Sequence, residues 1–169
     1  MTDRTKLLIH LNRIHTVFGN ALRHGPDGSL EGHFETEHSQ FTHYACSFYL
    51  AGTLSFLEGR SGAYSWNQIG ASGQDFDTFV AVNPASSRAS FSSRGICAAN
   101  MNALAEVRNS VIHNDGDLTQ NRNKQSLSMV IAAGLPGVVL NGSTVQLKDP
   151  FLDYVRLSAI AVRRFHGED

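Results

Sequence analysis

Apolar residues return at three- and four-residue intervals through four long stretches of the chain, and that spacing, more than any other feature, limits the fold. Leu7, Leu11, Ile14, Phe18 and Leu22 fall on one side of a helix predicted from about Thr5 to His24, which the turn-forming run HGPDGS ends. A second helix is predicted from about Phe34 to Gly59, with Phe41, Ala45, Phe48, Gly52 and Phe56 in a stripe that Leu50, Leu54 and Leu57 widen. A third starts near Ser93 or Ala98 and stops near Asp115 and Gly116, a dipeptide suited to a helix C-terminus, with Leu104, Val107 and Val111 as its apolar side. The last opens at Asp149 and Pro150, an N-cap and first-turn pair, and carries Phe151, Val155, Ser158, Val162 and Phe165 on one face.

Between the third and last helices, a polar loop leads into GVVLNGSTVQL, where Asn141 and Gly142 separate two short β-type runs and signal a hairpin. Residues 60–95 are rich in Gly, Ser and Asn, yet structureless loops of that length are uncommon in compact domains, so local structure is expected there. Within them QDFDTFVAV fits either a short helix closed by Asn83 and Pro84 or a short strand. These elements describe a mainly all-α protein, an antiparallel four-to-five-helix bundle with one small β-hairpin before the last helix. The 169 residues fit a single domain, 1–169, with a long insert at about 60–95.

Apolar residues at 41% and charged residues at 17% are ordinary globular values that exclude disordered and fibrous classes. The two cysteines, Cys46 and Cys97, lack metal-site or disulfide-framework spacing and read as reduced, buried thiols. The opening stretch is interrupted by His10, Asn12 and Arg13, and no segment is long and apolar enough to span a bilayer, so no membrane association and a cytoplasmic location are expected. A net charge of −1 gives no global attraction for nucleic acid; an RNA partner would require a local patch. Arg4, Arg13, Arg122, Arg156, Arg163 and Arg164 could supply one if the fold groups them.

The third helix carries polar residues that a core does not ask for. Asn102, Glu106, Asn109 and His113 form a strip opposite the apolar stripe, and Arg108 stands at the stripe's edge. On an ideal helix Arg108 and His113 are separated by roughly 140°, so one chain does not aim both at a single phosphate. A two-fold axis would give each a mate across the seam, which favours a composite site in a homodimer. His113 also lies in the last turn, where the negative end of the macrodipole favours a protonated imidazole able to donate as well as accept a proton.

The segment LAEVRNSVIHNDGDL resembles the signature of HEPN domains, an arginine followed after four to six residues by histidine, usually with a polar residue directly after the arginine. Arg108, Asn109 and His113 match those positions, and the hairpin before a final helix is similar to several HEPN branches. The resemblance is specific over residues 98–166 and architectural over residues 1–60. It implies a HEPN-type bundle and a metal-independent endoribonuclease that needs no cofactor and acts at a dimer interface, in a toxin, antiphage or RNA-processing role. His113 would assist proton transfer as an RNA 2′-hydroxyl attacks its own phosphate, Arg108 would hold the non-bridging oxygens, and Asn109 would orient the phosphate or the histidine. Glu106 is assigned a part in the local proton balance. An antitoxin or regulatory protein is an admissible partner, but one toxin branch has a tyrosine after the histidine where this chain has Asn114 and Asp115. That branch's nucleotidyltransferase antitoxin is therefore not carried over.

Other readings stay open on the residues themselves. The polar strip also suits a solvated helix face, a nucleotide- or RNA-binding scaffold that does not cut, or a non-catalytic helical subunit. His33, Glu35, His38, His43 and Cys46 invite a metal reading, but the histidines spread around their helix and the second Glu-x-x-His of a carboxylate site is missing. Tyr44, Phe48 and Tyr49 could stack on a base, although aromatics at helical spacing more often pack in a core or dimer contact.

Overall fold

The computed structural model describes residues 33–168, with side chains from residue 42 onward; the helix expected over Thr5 to His24 lies outside that span. Helix α1 (His33–Arg60) is 28 residues long, roughly 42 Å. Its buried side runs through Thr42, Cys46, Tyr49, Leu50, Thr53 and Leu57, flanked by Ala45, Leu54 and Phe56. That face is rotated from the stripe expected from the sequence, because Phe48 is 62% exposed. Apolar residues occur nearly all round this helix, so periodicity cannot choose the face and the packing partners do.

Residues 60–95 form part of the core. After a 3-10 turn (Gly62–Tyr64), α2 (Trp66–Ser72) starts at Ser65, whose Oγ accepts from Gln68 N at 3.3 Å. Helix α3 (Gln74–Val82) resolves the ambiguity over QDFDTFVAV in favour of helix, since Phe76 and Val80, four apart, are both buried. Asn83 closes it, donating from Nδ2 to Phe79 O at 2.9 Å. A short antiparallel hairpin unforeseen from the sequence follows, β1 (Pro84–Ser86) with β2 (Ala89–Ser90), then a second 3-10 turn (Ser92–Arg94). Trp66, Ile69, Phe76, Val80 and Phe91 join the same hydrophobic cluster as α1.

Helix α4 (Ala98–His113) carries the motif. Cys97 precedes it without a side-chain cap; Asp77 of α3 accepts instead from Ala98 N at 2.7 Å. Leu104 and Val107 are wholly buried and Val111 packs partly buried against the core, as the spacing predicted. The segment expected to be only a polar loop contains a third 3-10 turn (Leu118–Gln120) and a helix, α5 (Ser126–Ala133). Eight residues are too few to display a helical period convincingly.

Strands β3 (Val138–Asn141) and β4 (Thr144–Leu147) pair antiparallel from Val138 with Leu147 to Asn141 with Thr144, so Asn141 ends a strand and Gly142 and Ser143 make the turn. Helix α6 (Pro150–Phe165) begins where expected, with proline in its first turn, although Asp149 has helical backbone angles and makes no side-chain cap bond. Phe151, Val155, Ser158 and Val162 are buried and Phe165 is partly buried, as their spacing predicted. The C-terminal end of α6 is tied to that of α1 through Glu168, which accepts from Arg60 and, at 2.7 Å, from the Tyr64 hydroxyl.

The described residues thus form a mainly helical fold of six α-helices and two small antiparallel hairpins, and no helix among them is long and apolar enough to cross a membrane. Both cysteines are free: Cys46 is fully buried, with burial foremost and Asp149 next pushing its thiol up to about 12, and Cys97 is half-buried.

Candidate functional site

The last two turns of α4 open onto a cavity of about 560 Å³. Glu106, Asn109 and His113 line it from the helix. Asn114, Gln120, Asn121, Arg122 and Asn123 line it from the strap that follows. The strap is held by the helix it borders. Glu106 accepts from Asn121 Nδ2 at 2.8 Å and Ser126 Oγ at 2.6 Å on one carboxylate oxygen, and from Asn123 Nδ2 at 3.2 Å on the other. Asn121, 3% exposed, is satisfied on both amide atoms, donating also to the Glu106 carbonyl at 2.9 Å and accepting from Asn114 Nδ2 at 2.7 Å. A charge partly removed from water requires such donors, and the sequence supplies them twenty residues or fewer downstream.

The helix exit is fixed from the other side by the β3–β4 hairpin. Asp115 has φ 48° and Gly116 φ 84°, and the N–H of Gly116 returns to Ser110 O at 2.9 Å. Val145 N donates to Gly116 O at 2.9 Å and Leu118 N to Ser143 O at 3.0 Å. A Cβ on residue 116 would lie 3.1 Å from Val145 O, so this reversal needs glycine both for its dihedral and for its space. Further along, Asp117 Oδ1 accepts from Thr119 N at 2.9 Å and Thr119 Oγ1 at 2.8 Å; these bonds hold its carboxyl below the usual carboxylate range.

Of the four residues singled out from the sequence, three meet at one cavity and the fourth does not. His113 is exposed at the end of α4, and its ring has no hydrogen-bond partner among the described residues. Asn109 lies one helical turn before it. Arg108 is not part of the cavity lining; its guanidinium is half-buried and donates to Asn109 Oδ1 at 2.9 Å, so it is linked to the cavity through Asn109. Glu106 lines the cavity with both carboxylate oxygens engaged by the strap.

Sequence reasoning passed over the strap. Its signal was present, since Asn114, Gln120, Asn121, Asn123 and Gln125 place five amide side chains directly behind the motif. Of the six arginines considered for a basic patch, Arg122 alone lines the cavity. Arg156 pairs with Asp153 at 3.6 Å, Arg163 approaches Glu168 at 3.8 Å, Arg164 donates to Pro84 O at 3.0 Å, and Arg4 and Arg13 lie outside the described residues.

A second, smaller cavity of about 300 Å³ lies where α1, the hairpin and the α4 exit meet, lined in part by His43, Tyr44, Asp115 and Gln146. His43 Nδ1 accepts from Leu147 N at 3.1 Å, and burial foremost, with Lys148 nearby, lowers its pKa. The aromatic trio divides: Tyr49 is core, whereas Tyr44 is 69% exposed and Phe48 is also exposed. No group of three or more potential metal ligands occurs among the described residues, and the side chains of His33, Glu35 and His38 lie outside them.

No protein-family model, curated protein or solved structure matches the chain.

Proposed function

We propose that the chain is a HEPN-type, metal-independent endoribonuclease that works as a homodimer. The observation that carries this reading is the position of His113: an exposed imidazole whose nitrogens have no hydrogen-bond partner among the described residues, at the mouth of a cavity that Asn109 and Arg122 also line. An RNA phosphate there meets a proton-transfer group, an amide donor and a cation within one recess. His113 accepts the proton of the 2′-hydroxyl or donates one to the departing 5′-oxygen, the 2′-oxygen bonds to phosphorus, and the P–O5′ bond breaks. The products are a 2′,3′-cyclic phosphate and a 5′-hydroxyl. Arg108 needs a geometry in which a second copy presents its own His113, because within one chain it reaches the recess only through Asn109. Glu106 acts as a positioning residue that holds the strap.

The test is cleavage of a mixed transfer and messenger RNA pool in EDTA, with His113→Ala alongside, product ends typed and the mass in solution measured. Cutting that yields cyclic phosphate and disappears in the variant supports the reading. Cutting unchanged in both His113→Ala and Arg108→Ala overturns it, and a strict monomer removes the composite site.

The amide-rich wall supports a second reading, a nucleotide- or RNA-binding module without turnover, since side-chain amides match the donor and acceptor edges of bases. Saturable RNA binding by a well-folded dimer that never cuts would favour it.

A further inference from the structure

The two cavities stand on either side of a single turn. Asn114 lines the larger and Asp115, the next residue, lines the smaller, so their linings meet across one peptide step of about 3.8 Å. The turn between them is pinned to the hairpin by the bonds of Gly116 and Leu118. An adjoining nucleotide of a strand with its phosphate beside His113 would enter the smaller cavity by crossing this one turn.

That smaller cavity has the parts of a base pocket. Tyr44 is an exposed aromatic on a helix with a full buried face of its own, and its ring meets that of His43 edge-on at 5.7 Å between centroids. His43 accepts on Nδ1 from the Leu147 N–H, so the proton of its neutral ring is on Nε2, available to donate. Asp115 is exposed and has no hydrogen-bond or ion-pair partner among the described residues, and it is held at φ 48°, a conformation that aspartate and asparagine tolerate better than most residues. At about 300 Å³ the space is at the small end of ligand pockets, suited to one base.

We propose that the cavity formed by His43, Tyr44, Asp115 and Gln146 is a flanking-base subsite that selects guanine in single-stranded RNA. The base stacks on Tyr44 while the Asp115 carboxylate accepts from guanine N1–H and N2–H2. Adenine presents an acceptor at N1 and no amino group at C2, so it leaves the carboxylate without those donors; His43 Nε2–H can serve the guanine carbonyl. The subsite rests on the reading of the chain as an RNA-acting protein, and binding tests it separately from cleavage.

Fluorescein-labelled oligoadenylate carrying one central guanosine, and the same oligomer with adenosine throughout, are titrated into His113→Ala protein to suppress any cutting. The guanosine-bearing strand is expected to bind about tenfold tighter, adding Asp115→Asn should erase that difference, and adding Tyr44→Ala should weaken both strands about tenfold. Asparagine keeps the turn's backbone, and circular dichroism confirms that each variant is folded. Equal affinity for the two strands, unaltered by Asp115→Asn, overturns the subsite and leaves the nuclease reading standing on its cleavage assay. Failure of the wild-type protein to bind or cut either strand or the mixed RNA pool overturns both.

Discussion

At the scale of the residue, the charged and polar groups of the α4 exit divide into those that hold the structure and those left free to act. Glu106 belongs to the first kind, since its carboxylate receives Asn121, Asn123 and Ser126. Removing it takes the carboxylate acceptor from Asn121 and Asn123, although Ser126 Oγ keeps Asn123 O at 2.6 Å and Asn121 Nδ2 keeps the Glu106 carbonyl at 2.9 Å, so Glu106→Ala should lower stability by about 1–2 kcal/mol, while His113→Ala, at an exposed site, should stay within about 0.5 kcal/mol. Urea unfolding of the two variants checks the contrast, and equal midpoints would show that the strap is held by something else. His43 gives a pH signature. Its folded pKa is depressed, by burial first and Lys148 second, below the ordinary value of 6.5. The unfolded chain therefore takes up the proton first as pH falls, and the stability associated with neutral His43 is present above pH 6.5 and lost on acidification through the folded pKa. Denaturation midpoints measured down from neutral pH should show this decline in the wild type and a shallower one in His43→Asn, which keeps an acceptor for the Leu147 N–H without the titration.

At the scale of the element, the hairpin and the start of α6 are joined at one close approach. Gly137 has φ 75°, and a Cβ there would fall 2.3 Å from Phe151 N and 2.9 Å from Lys148 O, both backbone atoms that cannot rotate away. Gly137→Ala should cost about 2 kcal/mol or more, whereas Gly142→Ala, with nothing within 4 Å of its Cβ, should cost only the strain of its dihedral. Thermal unfolding of the pair separates crowding from dihedral strain; similar losses would place the joint elsewhere. Elements with long periodic patterns were readable in advance: α1, the β3–β4 hairpin and the start of α6 lie within a residue or two of their expected limits, and α4 begins at Ala98, the later of its two expected starts, since Ser93 falls in a 3-10 turn. Helix α5 was not, because its eight residues are too few to show a period and the bond from Ser126 to Glu106 at its start exists only with α4 in place. The face of α1 was also hidden, as Phe48 and Tyr49 are adjacent aromatics and packing buries the more polar of the two, Tyr49, while Phe48 stays exposed. At the site, His113, Asn109 and Glu106 could be placed on one strip from helical geometry; the opposite wall came from the strap, whose path depends on the Asp115–Gly116 reversal.

At the scale of the whole molecule, one hydrophobic cluster includes side chains from α1 through α6 and from the 60–95 segment. Trp66, the single tryptophan, is fully buried within that segment. If the segment and the bundle unfold together, Trp66 emission and far-ultraviolet circular dichroism should trace coincident urea transitions. Emission that shifts at a lower urea concentration than the helical signal would instead show that residues 60–95 open as a separate unit.

The cap on α4 has an evolutionary corollary. The N–H of Ala98 is met by Asp77, an acid that sits in the segment inserted before the motif helix rather than at the conventional capping position. A descendant that shortened or replaced α3 would disturb the helix that carries Arg108, Asn109 and His113 at its opposite end, sixteen residues long and with no other side-chain cap at its start. Length variation among relatives should therefore concentrate at the exposed β1–β2 turn, after α3 is complete. Lineages that lose Asp77 should tend to acquire Ser, Thr, Asp or Asn at position 97.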